Sequence, residues 1–127
     1  MIVAAVARGV RVTLYPLTPS LAPDLDALAA MLKARKGPST IVLSTHFFGF
    51  PAPIAQVLAL CQAAGASLIE DCSHCLVDGS GLPVGRAGAS DGRDGVHGDF
   101  VIASPYKMFP AQDGGTLWTR RPLPPED

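Results

Sequence analysis

Asp71 closes one apolar run, Ala66-Ser67-Leu68-Ile69-Glu70-Asp71, and Lys107 follows another, Phe100-Val101-Ile102-Ala103-Ser104. A carboxylate at the mouth of a buried strand can hold a cationic ring nitrogen, and that positive charge in turn keeps the acid ionised despite burial. A partly buried lysine has a depressed pKa and can form a Schiff base with an aldehyde. Each residue also has an ordinary reading: Asp71 caps a turn, and Lys107 is a solvated surface cation. Ser104, three residues before Lys107, could hydrogen-bond an anionic group or be a turn serine. Gly114-Gly115 after Asp113 lets backbone approach closely or sets a turn. His46 either lines a site or is a strand-end histidine satisfied by backbone.

Cys72-Ser73-His74-Cys75 is a C-x-x-C run directly after the Asp71 strand, which raises a redox or zinc reading as a rival. Thiol chemistry favours such a motif at the start of a helix, whose dipole stabilises the thiolate. The following Leu76-Val77-Asp78-Gly79 does not promise that helix. Tetrahedral zinc needs four ligands. The turn offers Cys72, His74 and Cys75, and a fourth would have to come from Cys61, His46 or His97, so no metal is assigned.

These residues need a scaffold that gathers them. The opening apolar stretch, closed by Gly9, reads as the last turns of a helix. Val10-Arg11-Val12-Thr13-Leu14-Tyr15 alternates and is β-branched, which predicts a strand ended by Pro16. A helix is expected over residues 23–36, with Leu25, Leu28 and Leu32 on one face, acids in its first turn and Lys33, Arg35 and Lys36 in its last. Residues 40–45 form a short apolar run of the buried parallel-strand type. A second helix carries the stripe Ile54, Val57, Leu58 and Cys61 and ends at Gly65. Strands follow at residues 66–71, 100–104 and 115–119. Residues 78–98 are a Gly-rich loop too long for an ordinary connector, a lid or a disordered segment. Alternating strands and helices at this spacing mean βαβ units, hence an α/β fold with a mostly parallel sheet between helical layers, a three-layer α/β/α sandwich. Ligands in such sheets sit beyond the carboxyl ends of the strands. Thr45-His46, Asp71 to His74 and Ser104 to Lys107 all fall at such ends.

The bulk composition narrows the function classes. The chain has 127 residues, room for one domain, with a formal net charge of -1, so there is no basic field for nucleic acid. Three cysteines without a signal peptide point to a reducing compartment, the cytoplasm. The first apolar stretch is far too short to cross a bilayer, and no membrane association is expected. With 48% hydrophobic and only 17% charged residues, the chain carries an apolar surplus. A surplus of this kind is suited to cover by further chain or by a partner subunit.

Glu70-Asp71-Cys72-Ser73-His74 resembles the "EDxxH/Q" segment of the DegT/DnrJ/StrS family of pyridoxal-phosphate (PLP) aminotransferases of fold type I. Thr45-His46-Phe47-Phe48-Gly49-Phe50-Pro51 is similar to that family's "VHxxGxP" stretch. Gly98-Asp99-Phe100, Lys107 and Asp113-Gly114-Gly115 are similar to its "GDxxxFSxxxxK…GEGG" run. The ordered set covers residues 3–119.

The resemblance implies pyridoxal 5'-phosphate as cofactor, with Asp71 on its pyridine nitrogen and Lys107 carrying it as a Schiff base and then moving a proton. It implies that His74 lies near the phenolic oxygen and that Ser104 contacts the phosphate. The reaction implied is amino transfer from an amino-acid donor to a keto acceptor, with a nucleotide-linked keto sugar among the candidates, in a homodimer whose sites lie at the subunit boundary. Ile102 stands where the family usually has serine, Met108 where it has Asn and Asp113 where it has Glu; these departures bear on the substrate more than on the cofactor. The expectation is a partial large domain over residues 1–121, lacking the Gly-Thr phosphate loop, the ring-stacking aromatic and the small domain, followed by a polar Pro-rich tail over 122–127. Such a piece would be inactive alone. A non-catalytic, regulatory or inactive α/β module is the other alternative.

Overall fold

A computed structural model describes residues 2–35, 40–75, 98–120 and 122. The expected loop over 78–98 lies outside the described residues except for Gly98, and so does nearly all of the expected tail.

The chain opens with α1 (Ile2–Ala7). It is closed as the sequence predicts: Gly9 takes a positive φ of 74° while its N–H bonds to Val6 and that of Val10 to Ala5. The strand expected over residues 10–15 does not form. Alternation describes an extended chain, but a strand also needs a ladder partner, and this segment joins none among the described residues. Val10 and Leu14 are exposed. Tyr15 is tied down, donating its hydroxyl to the Leu43 carbonyl at 2.9 Å. A single antiparallel bridge, Leu17 to Pro23, closes the turn that follows.

α2 (Leu25–Ala34) starts at Asp24, whose carboxylate accepts the Ala27 N–H at 3.0 Å. Leu28 and Leu32, one turn apart, are its buried residues. α3 (Ile54–Ala64) buries Ile54, Val57 and Cys61 and ends where Gly65 turns left-handed at φ 68°. α2 and α3 pack on each other, and α3 lies on the sheet. Their apolar stripes join Val42 and Leu68 in one core. Each fully buried aliphatic side chain there contributes roughly 1.5–3 kcal/mol.

The sheet has the order β1 (Ile41–Thr45), β2 (Ser67–Asp71), β3 (Phe100–Ala103), β4 (Thr116–Thr119). The first three strands run parallel and β4 returns antiparallel. This is the mostly parallel α/β sheet expected. The register sets Thr45 beside Asp71 and Asp71 beside Ile102. Period-two alternation then sorts the faces. Val42, Ser44, Leu68, Glu70, Val101 and Ala103 are buried on one face; Leu43, Thr45, Ile69, Asp71, Phe100 and Ile102 are half-buried on the other. Among the described residues no helix is long and apolar enough to cross a membrane.

Candidate functional site at the carboxyl edge of the sheet

Because β1, β2 and β3 are parallel, their carboxyl ends share one edge. Asp71, the last residue of β2, sits there with a half-buried side chain. The chain turns at once, and Asp71 Oδ1 accepts both the N–H of Ser73, at 3.0 Å, and the Ser73 hydroxyl. Oδ2 has no hydrogen-bond partner among the described residues. The carboxylate is therefore held in one orientation with one oxygen to offer, which suits the acid partner of a ring nitrogen. The turn-capping reading of Asp71 holds for Oδ1, and it does not use Oδ2.

β3 ends at the same edge. Ser104, half-buried, begins a 3-10 turn over Pro105–Lys107, and its carbonyl accepts the Lys107 N–H at 3.1 Å. Pro105 fixes the entry to this turn, since its ring presets φ and its missing N–H is not needed there. Lys107 is exposed and forms no ion pair with Asp71. His74 is exposed as well, and its ring stacks on Phe48 with centroids 6.1 Å apart and planes 17° from parallel. Asp71, His74, Ser104 and Lys107 thus share the carboxyl edge, while Asp71 and Lys107 remain apart.

His46 goes elsewhere. It follows β1 on the parity of Val42 and Ser44, and it is buried against Glu70 on the face that α3 covers. Its Nδ1 accepts the Ala52 N–H at 3.0 Å, and its Nε2 lies 2.7 Å from Glu70 Oε1. A ring nitrogen that accepts an N–H carries no proton, so the proton sits on Nε2 and is donated to Glu70. The other oxygen, Oε2, accepts the Gly98 N–H at 3.1 Å, and the Cys72 thiol lies 3.7 Å from Oε1. Backbone thus satisfies one nitrogen of His46, as one of its two readings expects, but a buried carboxylate that those readings leave out satisfies the other. Glu70 is visible in the sequence as a charge at a core-facing position of an alternating strand, where burial requires partners.

Gly98 cannot be otherwise. A Cβ there would stand 2.7 Å from the Phe100 carbonyl oxygen and 3.0 Å from Glu70 Cβ. Asp99 then pairs with Leu68 in both directions, through Oδ2 to its N–H at 2.8 Å and through its own N–H to its carbonyl at 2.9 Å. The Gly-Asp pair is thus a structural clamp between β2 and β3.

His46, Glu70 and Cys72 bring ligand atoms within 4.8 Å of one another. The tautomer argues against a metal there. A cation on Nε2 would need the proton moved to Nδ1, where it would face the Ala52 N–H. The thiols behave differently from one another. Burial pushes the Cys61 thiol up to about 11. Cys72 and Cys75 bear on each other: the neighbouring Cys75 raises the Cys72 thiol, and Cys72 brings Cys75 down to about 7.

Residues 3–122 match the DegT/DnrJ/EryC1/StrS aminotransferase family. The chain belongs to that family. Membership implies pyridoxal phosphate, and the half-engaged Asp71 carboxylate fits it. A serine hydroxymethyltransferase of Methanosphaera stadtmanae is 31% identical over 115 residues, covering 90% of this chain and 26% of that protein. Among solved structures, AtS13 from Actinomadura melliaura superposes with a TM-score of 0.66 at 23% identity, over 93% of this chain and 31% of the other. DesI, solved in the presence of its TDP-sugar product, gives 0.65 at 22% identity, over 93% and 28%. These likenesses carry the fold, that of fold type I. The chain spans about a quarter of the length of the curated relative.

Proposed function

We propose that this chain contributes the cofactor-holding edge of a PLP-dependent aminotransferase, moving an amino group from an amino-acid donor to a keto acceptor. One observation carries the reading: in a chain of this family, an acid with one oxygen unengaged by the described residues ends one strand, and a lysine follows the end of the parallel strand paired with it. Pyridoxal phosphate, when bound, supplies an aldehyde that captures amines and a ring that accepts electrons from a substrate carbon. Asp71 Oδ2 would bind the ring nitrogen and hold a proton there. Lys107 Nζ would hold the cofactor covalently and would carry the proton from the donor's α-carbon. The Ser104 hydroxyl would bind a phosphate oxygen, and His74, backed by Phe48, would stand near the phenolic oxygen.

A nucleotide-linked keto sugar is the acceptor we favour, which the TDP-sugar named with the DesI structure supports. We assign a homodimer, supported by the exposed apolar side chains Phe48, Phe50 and Phe109 after β1 and β3. Three free cysteines support a reducing compartment, the cytoplasm. A second reading, one-carbon transfer on serine, is favoured by the serine hydroxymethyltransferase relatives and would use the same acid and lysine.

The test is spectroscopic first. The chain mixed with PLP should gain a visible band that borohydride bleaches, leaving a reduced adduct on Lys107; Lys107→Ala should lose both, and Asp71→Asn should shift the band. PLP bound elsewhere, or not at all by the chain and by any longer protein that contains it, would overturn the site. In the longer protein, conversion of serine to glycine without amino transfer from glutamate would select the second reading.

A further inference from the structure

We propose that Cys72 and Cys75 form a reversible dithiol–disulfide couple that exchanges electrons with low-molecular-weight disulfides. Amino transfer does not use either sulfur, and the couple stands without it.

Three observations carry it. The Cys75 N–H bonds to the Cys72 carbonyl at 2.9 Å, closing a four-residue turn. Such a turn holds its first and last Cα atoms within about 7 Å, which overlaps the roughly 4.4–6.8 Å that a disulfide spans. Cys75 packs against the small buried cluster that holds Cys72. Finally, their exposure differs: Cys72 is fully buried, whereas Cys75 is half-buried and reachable. A couple needs one sulfur that outside reagents can reach and another that only its neighbour can, and the turn supplies one of each. Cys61 lies in a separate core cluster and takes no part.

Exchange takes two steps. Cys75 thiolate attacks one sulfur of the small disulfide; that S–S bond breaks and one small thiolate departs. Cys72 then attacks Cys75 in the mixed disulfide, forming the Cys72–Cys75 bond and expelling the second small thiolate, which takes the Cys72 proton. Two electrons leave the protein and the small disulfide becomes two thiols. The shift of Cys75 toward the thiolate near neutral pH helps the first step. Retention of the proton on Cys72 guards it until Cys75 is occupied. Closure would withdraw the Cys72 thiol from Glu70 and lock the turn that carries Ser73, the partner of Asp71.

The experiment uses the whole chain, reduced and then equilibrated without oxygen in a series of reduced and oxidised glutathione mixtures. Samples are acid-quenched, alkylated after unfolding and mapped by mass. One transition is expected: Cys72 and Cys75 lose alkylation together, their shared peptide becomes lighter by two hydrogens, and dithiothreitol restores it while Cys61 stays alkylated throughout. Cys72→Ala should instead accumulate glutathione on Cys75. The proposal is overturned if excess oxidised glutathione leaves both thiols free in the unmutated chain. It is equally overturned if Cys75 there keeps a stable glutathione adduct beside an alkylatable Cys72. Both outcomes are read on the unmutated chain, so they decide the matter even where the variant fails to fold.

Discussion

Glu70 occupies a position where strand alternation calls for an apolar side chain, and polar contacts from His46, Gly98 and Cys72 make that tolerable. Glu70→Gln tests how closely the set is matched. Its amide oxygen can accept from His46 Nε2, but its NH2 then faces the Gly98 N–H; flipped, it faces His46 and pushes the ring proton toward Ala52. Either way a buried donor loses its acceptor, which costs about 1–3 kcal/mol. Thermal unfolding should show that loss, and an unchanged melting temperature would mean the pair is not buried as described. Cys75 gives a second residue-scale outcome. Cys72, Asp71 and His46 are the titratable groups that bear on it; the neighbouring Cys72 thiol lowers it to about 7, against burial and the Asp71 charge. The thiolate is the nucleophile, so iodoacetamide labelling of Cys75 should climb through pH 7, well before the same cysteine in the unfolded chain. The folded chain binds this proton less tightly, so the group's share of stability is complete above the ordinary thiol value and lost as pH falls through about 7. Labelling that follows an ordinary thiol would mean that Cys72 does not favour the Cys75 thiolate. At this scale the motifs name Asp71, His74, Ser104 and Lys107, and the structure sets all four at the carboxyl edge of the sheet. The sequence is silent on Glu70 with His46, because a partner 24 positions away is a product of register.

Elements are the most legible level, and the one failure shows why. α2 and α3 are readable because a helix satisfies its own backbone, so stripe, cap and stop suffice: Leu28 with Leu32, Asp24 before them, Gly65 after Cys61. β1, β2 and β3 are readable from short apolar runs, and the parallel order of the first two from the helix between them. Residues 10–15 have strand composition too, yet pairing decides strands, and nothing local to this segment reveals that no ladder partner stands beside it among the described residues. Two glycines separate local from tertiary demand. Gly65 has open space around its missing side chain but a left-handed φ of 68°, so Gly65→Ala should cost only about 1–2 kcal/mol, the strain of that conformation. Gly98→Ala instead drives a Cβ against the Phe100 carbonyl and Glu70. Relief there requires moving β3 away from β2, and the clamp through Asp99 goes with it. Denaturant unfolding should therefore show a much larger loss for Gly98→Ala than for Gly65→Ala. Equal losses would mean that the β2–β3 contact is looser than the hydrogen bonds indicate.

At the level of the whole molecule, the apolar surplus in the composition reappears as surface. Phe48 and Phe50 are 72% and 74% exposed after β1, and Phe109 is 50% exposed after β3. Two of the three strands that form the carboxyl edge therefore continue into apolar side chains facing water. Hydrophobic side chains scattered singly on a surface need no explanation, but several issuing from one edge do. If a second subunit meets this edge, as the proposed homodimer requires, the cofactor site and the interface are neighbours. Two consequences can be measured together. Sedimentation should show a dimer that dissociates on dilution, and Phe50→Glu should shift the balance to monomer without loss of helical signal. Added PLP should raise the melting temperature of the unmutated chain, since a ligand that binds only the folded state at a hundred times its Kd adds about 2.7 kcal/mol. If the interface borders the site, Phe50→Glu should also weaken that PLP-dependent gain, whereas Lys107→Ala should abolish it and leave the dimer intact. A monomer at every concentration that still gains full stability from PLP would separate the two surfaces and remove the subunit boundary from the site.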